Sequence, residues 1–281
     1  MTRGRAPDAS HTASGVGETP PKLRVAIYQY AGRDETPADR IARLAAELDR
    51  VGTGATDLVL TPELFLSGYN IGTELVRARA EPADGPSAKA IADLARKHRT
   101  AIAYGYPQRD GDAFYNAVQC IGADGRPLAN HRKLQLPSDY ERASFTRGDC
   151  LTPFLLNGWK ASLLVCYDVE FPEAVRGCAL GGADLVIVPT ALKDRWGFVA
   201  QKMVPTRAFE NGVFLMYANY AGGERDWTYL GESCVIGPDG SEVARAGSGE
   251  EMLRGTLDPA LIAPARATLP YLKDRDAIPK R

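Results

Sequence analysis

The sequence predicts a mixed α/β fold in a single domain over residues 23–281. Three observations carry this expectation. Short, nearly continuous apolar runs alternate with segments of helical periodicity, the pattern of strands buried beneath helices. The turns Gly122-Ala123-Asp124-Gly125 and Gly237-Pro238-Asp239-Gly240 each join two apolar runs as hairpins would, so antiparallel pairs accompany the parallel ones. Residues 23–281 also show no linker-like shift in composition and no repeat of fixed period.

The elements follow in order. LRVAIYQY (23–30), rich in β-branched and aromatic residues, is the first strand. Thr36 followed by Pro37 reads as an N-cap with proline at the first helical position. Ile41, Leu44, Ala45, Leu48 and Val51 then share one helical face, and Gly52 and Gly54 end the helix. DLVLTPE (57–63) is a short buried strand. Ser87 is read as the cap of a helix running to His98, and strands follow at 100–107 and 114–122. KASLLVCYD (160–168) is a strand ending in a polar tripeptide, with a helix starting at Pro172. After a strand at 183–190 comes a helix at 197–212, which Pro205 should bend. Strands at 213–220, 229–236 and 250–258 complete the set. Residues 1–22, small, polar and Pro-rich, lack the apolar stretch of a secretory signal and are read as a disordered N-terminal extension.

Composition narrows the function. A net charge of −1 gives no global pull toward nucleic acid or anionic lipid, so neither is an expected partner. No stretch approaches the roughly 18 apolar residues of a membrane helix. The five cysteines, Cys120, Cys150, Cys166, Cys178 and Cys234, are scattered, odd in number and without a C-x-x-C pair. They suit reduced thiols in a cytoplasmic protein better than a disulfide framework. With only His11, His98 and His131 besides, no Cys/His zinc site is expected.

Three strand ends carry reactive groups: Glu63 in LTPELFLSGYN, Lys133 in HRKLQLP and Cys166 in LLVCYDVEFPE. Singly, each has an ordinary reading as a helix cap, a solvated charge and a small core residue. Together they make a coherent set. A thiol near its ordinary pKa of about 8.5 needs a base to attack at neutral pH. His11 lies in the N-terminal extension and His98 on a helix. His131 stays an outside candidate, because on a strand it would share a face with Lys133. Glu63 can serve if burial lifts its pKa toward neutrality. Lys133 would hold a tetrahedral oxyanion, a contact whose loss costs roughly 2.7–4 kcal/mol.

In order along the chain, PELFLSGY, HRKLQLP and CYDVEFPE resemble the three motifs of the nitrilase superfamily of carbon–nitrogen hydrolases, and the likeness covers residues 23–275. The resemblance implies a four-layer α-β-β-α sandwich, paired as a homodimer or larger homo-oligomer. It implies a Glu63–Lys133–Cys166 triad, a second glutamate at Glu141 that positions the lysine and substrate, and an oxyanion contact from the Tyr167 N–H. It implies no metal and no organic cofactor. Cys166-Tyr167-Asp168 departs from the Cys-Trp-Glu of true nitrilases and is closer to amidases of small or amino-acid-like carboxamides, as is the C-terminal PYLKDRD (270–276). N-carbamoyl amine or amino-acid hydrolysis is the main alternative, followed by a nitrilase and an ammonia-supplying subunit. The basic pair that N-carbamoyl hydrolases carry near the nucleophile is replaced here by Val169 and Glu170.

Tyr69, Phe171, Thr190 and Ala191 follow the motifs at strand ends and are pocket candidates, with core packing the other reading of the two aromatics. Glu170 could attract an amine-bearing substrate or simply start the helix near Pro172. Asn116 could orient active-site loops. The other four cysteines read as structural.

Overall fold

The computed structural model describes residues 19–279. Two six-stranded sheets face each other, with helices covering both outer faces. The chain contributes β1 (Leu23–Gln29), α1 (Pro37–Val51), β2 (Leu58–Leu60), α2 (Thr73–Ala78), α3 (Pro86–His98), β3 (Ala101–Asp110), β4 (Ala113–Ile121) and β5 (Pro127–Arg132). Next come α4 (Asp139–Ser144), β6 (Thr152–Leu156), β7 (Trp159–Leu163), α5 (Pro172–Leu180), β8 (Leu185–Pro189), α6 (Val204–Asn211) and β9 (Phe214–Ala218). A two-stranded ribbon of β10 (Gly223–Glu224) and β11 (Trp227–Thr228) precedes β12 (Cys234–Ile236), β13 (Glu242–Arg245), β14 (Glu251–Leu257) and α7 (Ile262–Thr268). The first sheet runs β14-β1-β2-β3-β4-β5 and the second β13-β12-β9-β8-β7-β6. Each has a parallel centre, β1-β2-β3 and β7-β8-β9, and antiparallel flanks.

Strand alternation explains why the apolar runs are nearly continuous. Val25, Ile27, Leu58, Leu60, Leu185, Ile187, Phe214 and Met216 point into the core between the sheets. Their neighbours Ala26, Val59 and Ile102 pack under Leu44 and Leu48 of α1 and Ile91 of α3. Val186, Val188 and Leu215 pack under Val175 of α5 and Val204 and Ala208 of α6. Both faces of each central strand are therefore covered, as in parallel sheets generally. Trp159 lies in the inter-sheet core, edge-on to Phe214 at 5.7 Å, and donates its Nε1–H to the Pro21 carbonyl at 2.8 Å. This contact ties the chain just before β1 to the sandwich; residues 1–18 of the expected extension lie outside the described residues.

Several local readings shift. Thr36 caps α1 through a reciprocal pair with Asp39, as expected from Thr36-Pro37. Ser87 does not cap α3: Gly85 holds that position and Pro86 is the first helical residue. The Ser87 N–H and hydroxyl instead both donate to Glu81, each at 2.8 Å. The strand expected at 160–168 stops at Leu163, and a 3₁₀ turn runs from Cys166 to Glu170. Only Cys234–Ile236 of 229–236 joins the ladder. The distortion expected at Pro205 takes the form of a π-helical turn over Val199–Met203 before α6. Pro205 has no N–H for the carbonyl one turn earlier, and the chain widens there. No helix among the described residues is long and apolar enough to cross a membrane, and no three metal-binding side chains converge among them.

Candidate active site

The site lies where loops from the two sheets meet. Glu63 follows β2 and Lys133 follows β5, both of the first sheet; Cys166 and Thr190 follow β7 and β8 of the second. The Glu63 N–H donates to the Thr190 carbonyl at 3.3 Å, bridging the two sheets at the site itself. The Glu63 loop sits directly on β3. A Cβ at Gly105 would come 2.4 Å from the Pro62 carbonyl oxygen and 2.5 Å from the Leu64 nitrogen, so only glycine fits. Leu64 itself adopts φ 50°, turning the chain sharply after the carboxylate.

Lys133 is fully buried, and its Nζ donates to Glu63 Oε1 at 2.7 Å and to Glu141 Oε1 at 2.8 Å. Its backbone N–H is held by the Asn116 carbonyl at 2.8 Å, while Asn116 Nδ2 donates to Glu63 Oε1 at 2.7 Å. Glu141 stands in the first turn of α4, which Ser138 caps, and the Tyr69 hydroxyl donates to Glu141 Oε1. Asn116 therefore orients both the carboxylate and the lysine loop. Cys166 has φ 47°, a conformation costly for a residue with a Cβ and concentrated at functional sites. Its Sγ accepts from Thr190 Oγ1 at 3.0 Å, and the nearby Ala191 N–H favours the thiolate.

The buried Asp168 carboxylate ties the lysine loop to the cysteine turn. It accepts from the Val165 N–H at 3.2 Å, the Leu134 N–H at 3.1 Å and the Gln135 N–H at 2.9 Å. His131 is engaged away from the thiol, with Nδ1 3.0 Å from Thr152 Oγ1 and Nε2 3.6 Å from Asp168.

These contacts set the protonation states. Burial, reinforced by Glu141, lifts the Glu63 carboxyl above the usual range, while Lys133 and the hydrogen bonds oppose the lift. Burial would lower the Lys133 pKa, but Glu141 and Glu63 outweigh it and hold the ammonium well above its ordinary value. The Cys166 thiol is pushed well up by burial and by Glu63, with Lys133, Thr190 and the Ala191 N–H pulling the other way. The resting arrangement is thus a neutral thiol beside a permanent cation and a carboxylate of raised basicity.

A cavity of about 520 Å³ opens onto this cluster, with Cys166, Tyr167, Tyr69, Glu141, Glu170 and Ala191 in its walls. Thr190 acts beneath the wall through the thiol and the Tyr217 hydroxyl, 3.0 Å away. Phe171, expected in the pocket, lies outside it. Because the turn after Cys166 ends there, Phe171 packs edge-on to Tyr167 at 5.0 Å and faces a separate depression beside Leu134 and Glu173.

The outer wall is a part that sequence reasoning did not find. The ribbon β10-β11 carries Trp227 against Tyr69, with ring centroids 5.3 Å apart, and Lys193 Nζ lies 3.4 Å from the Trp227 ring centre. Glu224 on the same ribbon is buried and fixes the Tyr69 segment: its Oε2 accepts from the Tyr69 N–H at 3.1 Å, the Asn70 N–H at 2.6 Å and the Tyr229 hydroxyl at 2.7 Å. The buried Arg40 stands 3.6 Å from its other oxygen.

The carbon–nitrogen hydrolase family profile matches residues 24–267. A protein described as "Hydrolase in pqqF 5'region", from Pseudomonas protegens, is 46% identical across 96% of this chain and 95% of its own. An (R)-stereoselective amidase of a Pseudomonas species is 34% identical across 90% of this chain and 91% of its own. An amidase from Nesterenkonia sp. superposes with a TM-score of 0.78 at 32% identity, covering 91% of this chain and 94% of the other. A mutant of the Nesterenkonia sp. AN1 amidase, a member of the nitrilase superfamily, in complex with butyramide superposes with a TM-score of 0.77. The two-sheet architecture, the profile match and these relatives agree: the chain belongs to the carbon–nitrogen hydrolase family of the nitrilase superfamily and is an enzyme of the amidase type.

Proposed function

We propose that residues 23–281 form one catalytic unit that hydrolyses a small-molecule carboxamide to a carboxylate and ammonia through a thioester on Cys166. The observation that carries this reading is the buried Lys133 ammonium between Glu63 and Glu141, beside a cavity that exposes the Cys166 thiol. A thiol held neutral by burial can attack only if its proton leaves as the bond forms, and Glu63 is the carboxylate whose raised basicity suits that transfer. A positioned base of this kind contributes about 10²–10⁴ in rate.

The steps then balance. Glu63 takes the Sγ proton and sulfur adds to the carboxamide carbon. Lys133 and the Tyr167 N–H hold the resulting oxyanion. Glu63 returns the proton to nitrogen, ammonia leaves, and a thioester remains. Water, deprotonated by the same carboxylate, then adds to the thioester carbon; the C–S bond breaks, Glu63 returns the proton to Sγ, and the acid leaves with the thiol restored. Glu141, fixed by the Tyr69 hydroxyl, keeps Lys133 in place. Thr190 and Ala191 hold the sulfur, and Tyr69, Tyr167 and Glu170 contact substrate.

The butyramide complex of the related amidase supports an amide over a nitrile, and Glu170 in place of a basic residue supports it over an N-carbamoyl acid. Exposed Leu180, Phe209 and Tyr271 on the outer helical layer of the second sheet support pairing of two copies through that layer.

The test measures ammonia and carbon dioxide together, for wild type and Cys166→Ala, over amides, N-carbamoyl compounds and nitriles. Ammonia alone from amides, abolished in the variant, is the expected result. Ammonia release that survives in Cys166→Ala overturns the mechanism, and equimolar carbon dioxide would reassign the substrate to the N-carbamoyl class.

A further inference from the structure

Glu170 is an acidic group of the cavity wall that takes no part in the bond-making and proton-transfer steps above. It ends the 3₁₀ turn that begins at Cys166, and shares the cavity with that thiol. Its main chain is pinned: Arg207 donates through Nη2 to the Glu170 carbonyl at 2.7 Å and through Nε to the Val169 carbonyl at 3.1 Å. The Arg207 charge is answered by Glu210 at 3.2 Å. The Glu170 carboxylate, by contrast, has no hydrogen bond or ion pair among the described residues, although the side chain is partly buried. Burial also pushes its carboxyl above the ordinary range, against the opposing pull of Lys133 and Arg207. A partly desolvated carboxylate gains most from a cation brought to it.

The surrounding wall fits such a cation. Tyr69, Tyr167 and Trp227 line the same cavity, and aromatic faces beside a carboxylate make an ammonium-binding surface. One ammonium already rests on this wall, the Lys193 Nζ over Trp227. The acidic groups of the cavity wall are Glu141 and Glu170, and Glu141 is already paired with Lys133 behind the wall. Lys193 and Arg195 at the rim are the competing feature. Arg195 is exposed and screened by solvent, and Lys193 is engaged with an indole, so both act more weakly than the deeper carboxylate.

We propose that Glu170 is a specificity-determining residue that binds a substrate ammonium group, making the preferred substrates small primary carboxamides that carry an amine within one to three carbons of the amide. The proposal rests on the amidase reading and narrows its substrate class.

Two isosteric sets test it. Alaninamide is compared with 2-methylpropanamide, and 4-aminobutanamide with pentanamide and glutaramate, each by kcat/KM for ammonia release at neutral pH. The ammonium member of at least one set should exceed its neutral isostere by about tenfold or more, with glutaramate the poorest. Glu170→Gln should reduce that ratio at least about tenfold, and Glu170→Lys should reverse it in favour of glutaramate. Calorimetric binding of the same compounds to Cys166→Ala and Cys166→Ala/Glu170→Gln reads the preference without turnover. A wild-type preference for the neutral or anionic member, or a ratio that Glu170→Gln leaves unchanged, overturns the proposal. Ammonia release from none of the amides would overturn the amidase reading instead, and the binding measurement would still decide the ammonium site.

Discussion

Replacing Lys133 with methionine tests the electrostatics of the site in isolation from its shape. The variant keeps much of the side-chain volume but removes the cation from between two fully buried carboxylates, each within 2.8 Å of it. Removing one partner of a buried ion pair costs about 3–5 kcal/mol, because the partner left behind stays desolvated and unpaired. With about 2.1 cal/mol/K of unfolding entropy per residue, a chain of 281 residues loses roughly 2 °C of Tm per kcal/mol, so the expected loss is about 5–9 °C at neutral pH.

The pH dependence is the sharper signature. Lys133 is what restrains the upward shift of Glu63, so in the variant the folded carboxyl rises further above its unfolded value. The folded state then binds more protons than the unfolded state, and stability increases as pH falls toward the ordinary carboxylate range. Urea unfolding of wild type and variant from pH 8 to pH 5 should therefore show the gap narrowing on acidification. A gap that is absent at pH 7, or that widens on acidification, would refute the buried-pair argument. Turnover should fall by at least about 10²-fold over the same range, so recovery of stability at low pH should not restore activity.

Other predictions follow from single contacts. Thr190→Val removes the hydroxyl donor to Sγ; alkylation of Cys166 by iodoacetamide should then shift to higher pH, and an unshifted profile would count against that contact. Gly105→Ala forces a Cβ against the Glu63 loop, so it should lower both Tm and kcat, whereas a neutral effect would mean the loop can move away. Asp168→Asn weakens the acceptor shared by Leu134, Gln135 and Val165; a loss of about 1–3 kcal/mol in urea unfolding is expected, with a fall in kcat. Trp159→Phe deletes the indole donor to Pro21 and should cost about 1 kcal/mol with kcat unchanged.

Glu63, Lys133 and Cys166 were legible as reactive groups at strand ends, and Glu141, in the polar segment PSDYE, only through the family resemblance. Thr190 and Ala191 were found as neighbours of the site, but not Thr190 as a donor to the sulfur. Three things lay beyond reach for physical reasons. The end of the strand at Leu163 has no local marker, because LLVC continues the apolar run and a cysteine gives no sign of the positive φ that Cys166 adopts. Glu224 acts on Tyr69 across 155 residues, and nothing local distinguishes it from a surface carboxylate. Ser87 looked like a cap on residue type, yet Pro86 fixes the helix start two positions earlier than a Ser87 cap would place it, and Glu81 claims the hydroxyl. The hairpin turns and the buried central strands needed no tertiary information, since turn chemistry and unbroken hydrophobicity specify them directly.

The thiol comes from one sheet, its carboxylate and lysine from the other, and the Glu63 N–H to Thr190 carbonyl bond joins them at the seam. Turnover is therefore a gauge of how the two sheets dock. A slip of about 1 Å between them would leave each sheet's ladder intact yet misplace the thiol from its proposed base, Glu63, at a cost of roughly 10²-fold. Mild denaturant or pressure should then silence the enzyme while the far-ultraviolet circular dichroism is still that of the native chain.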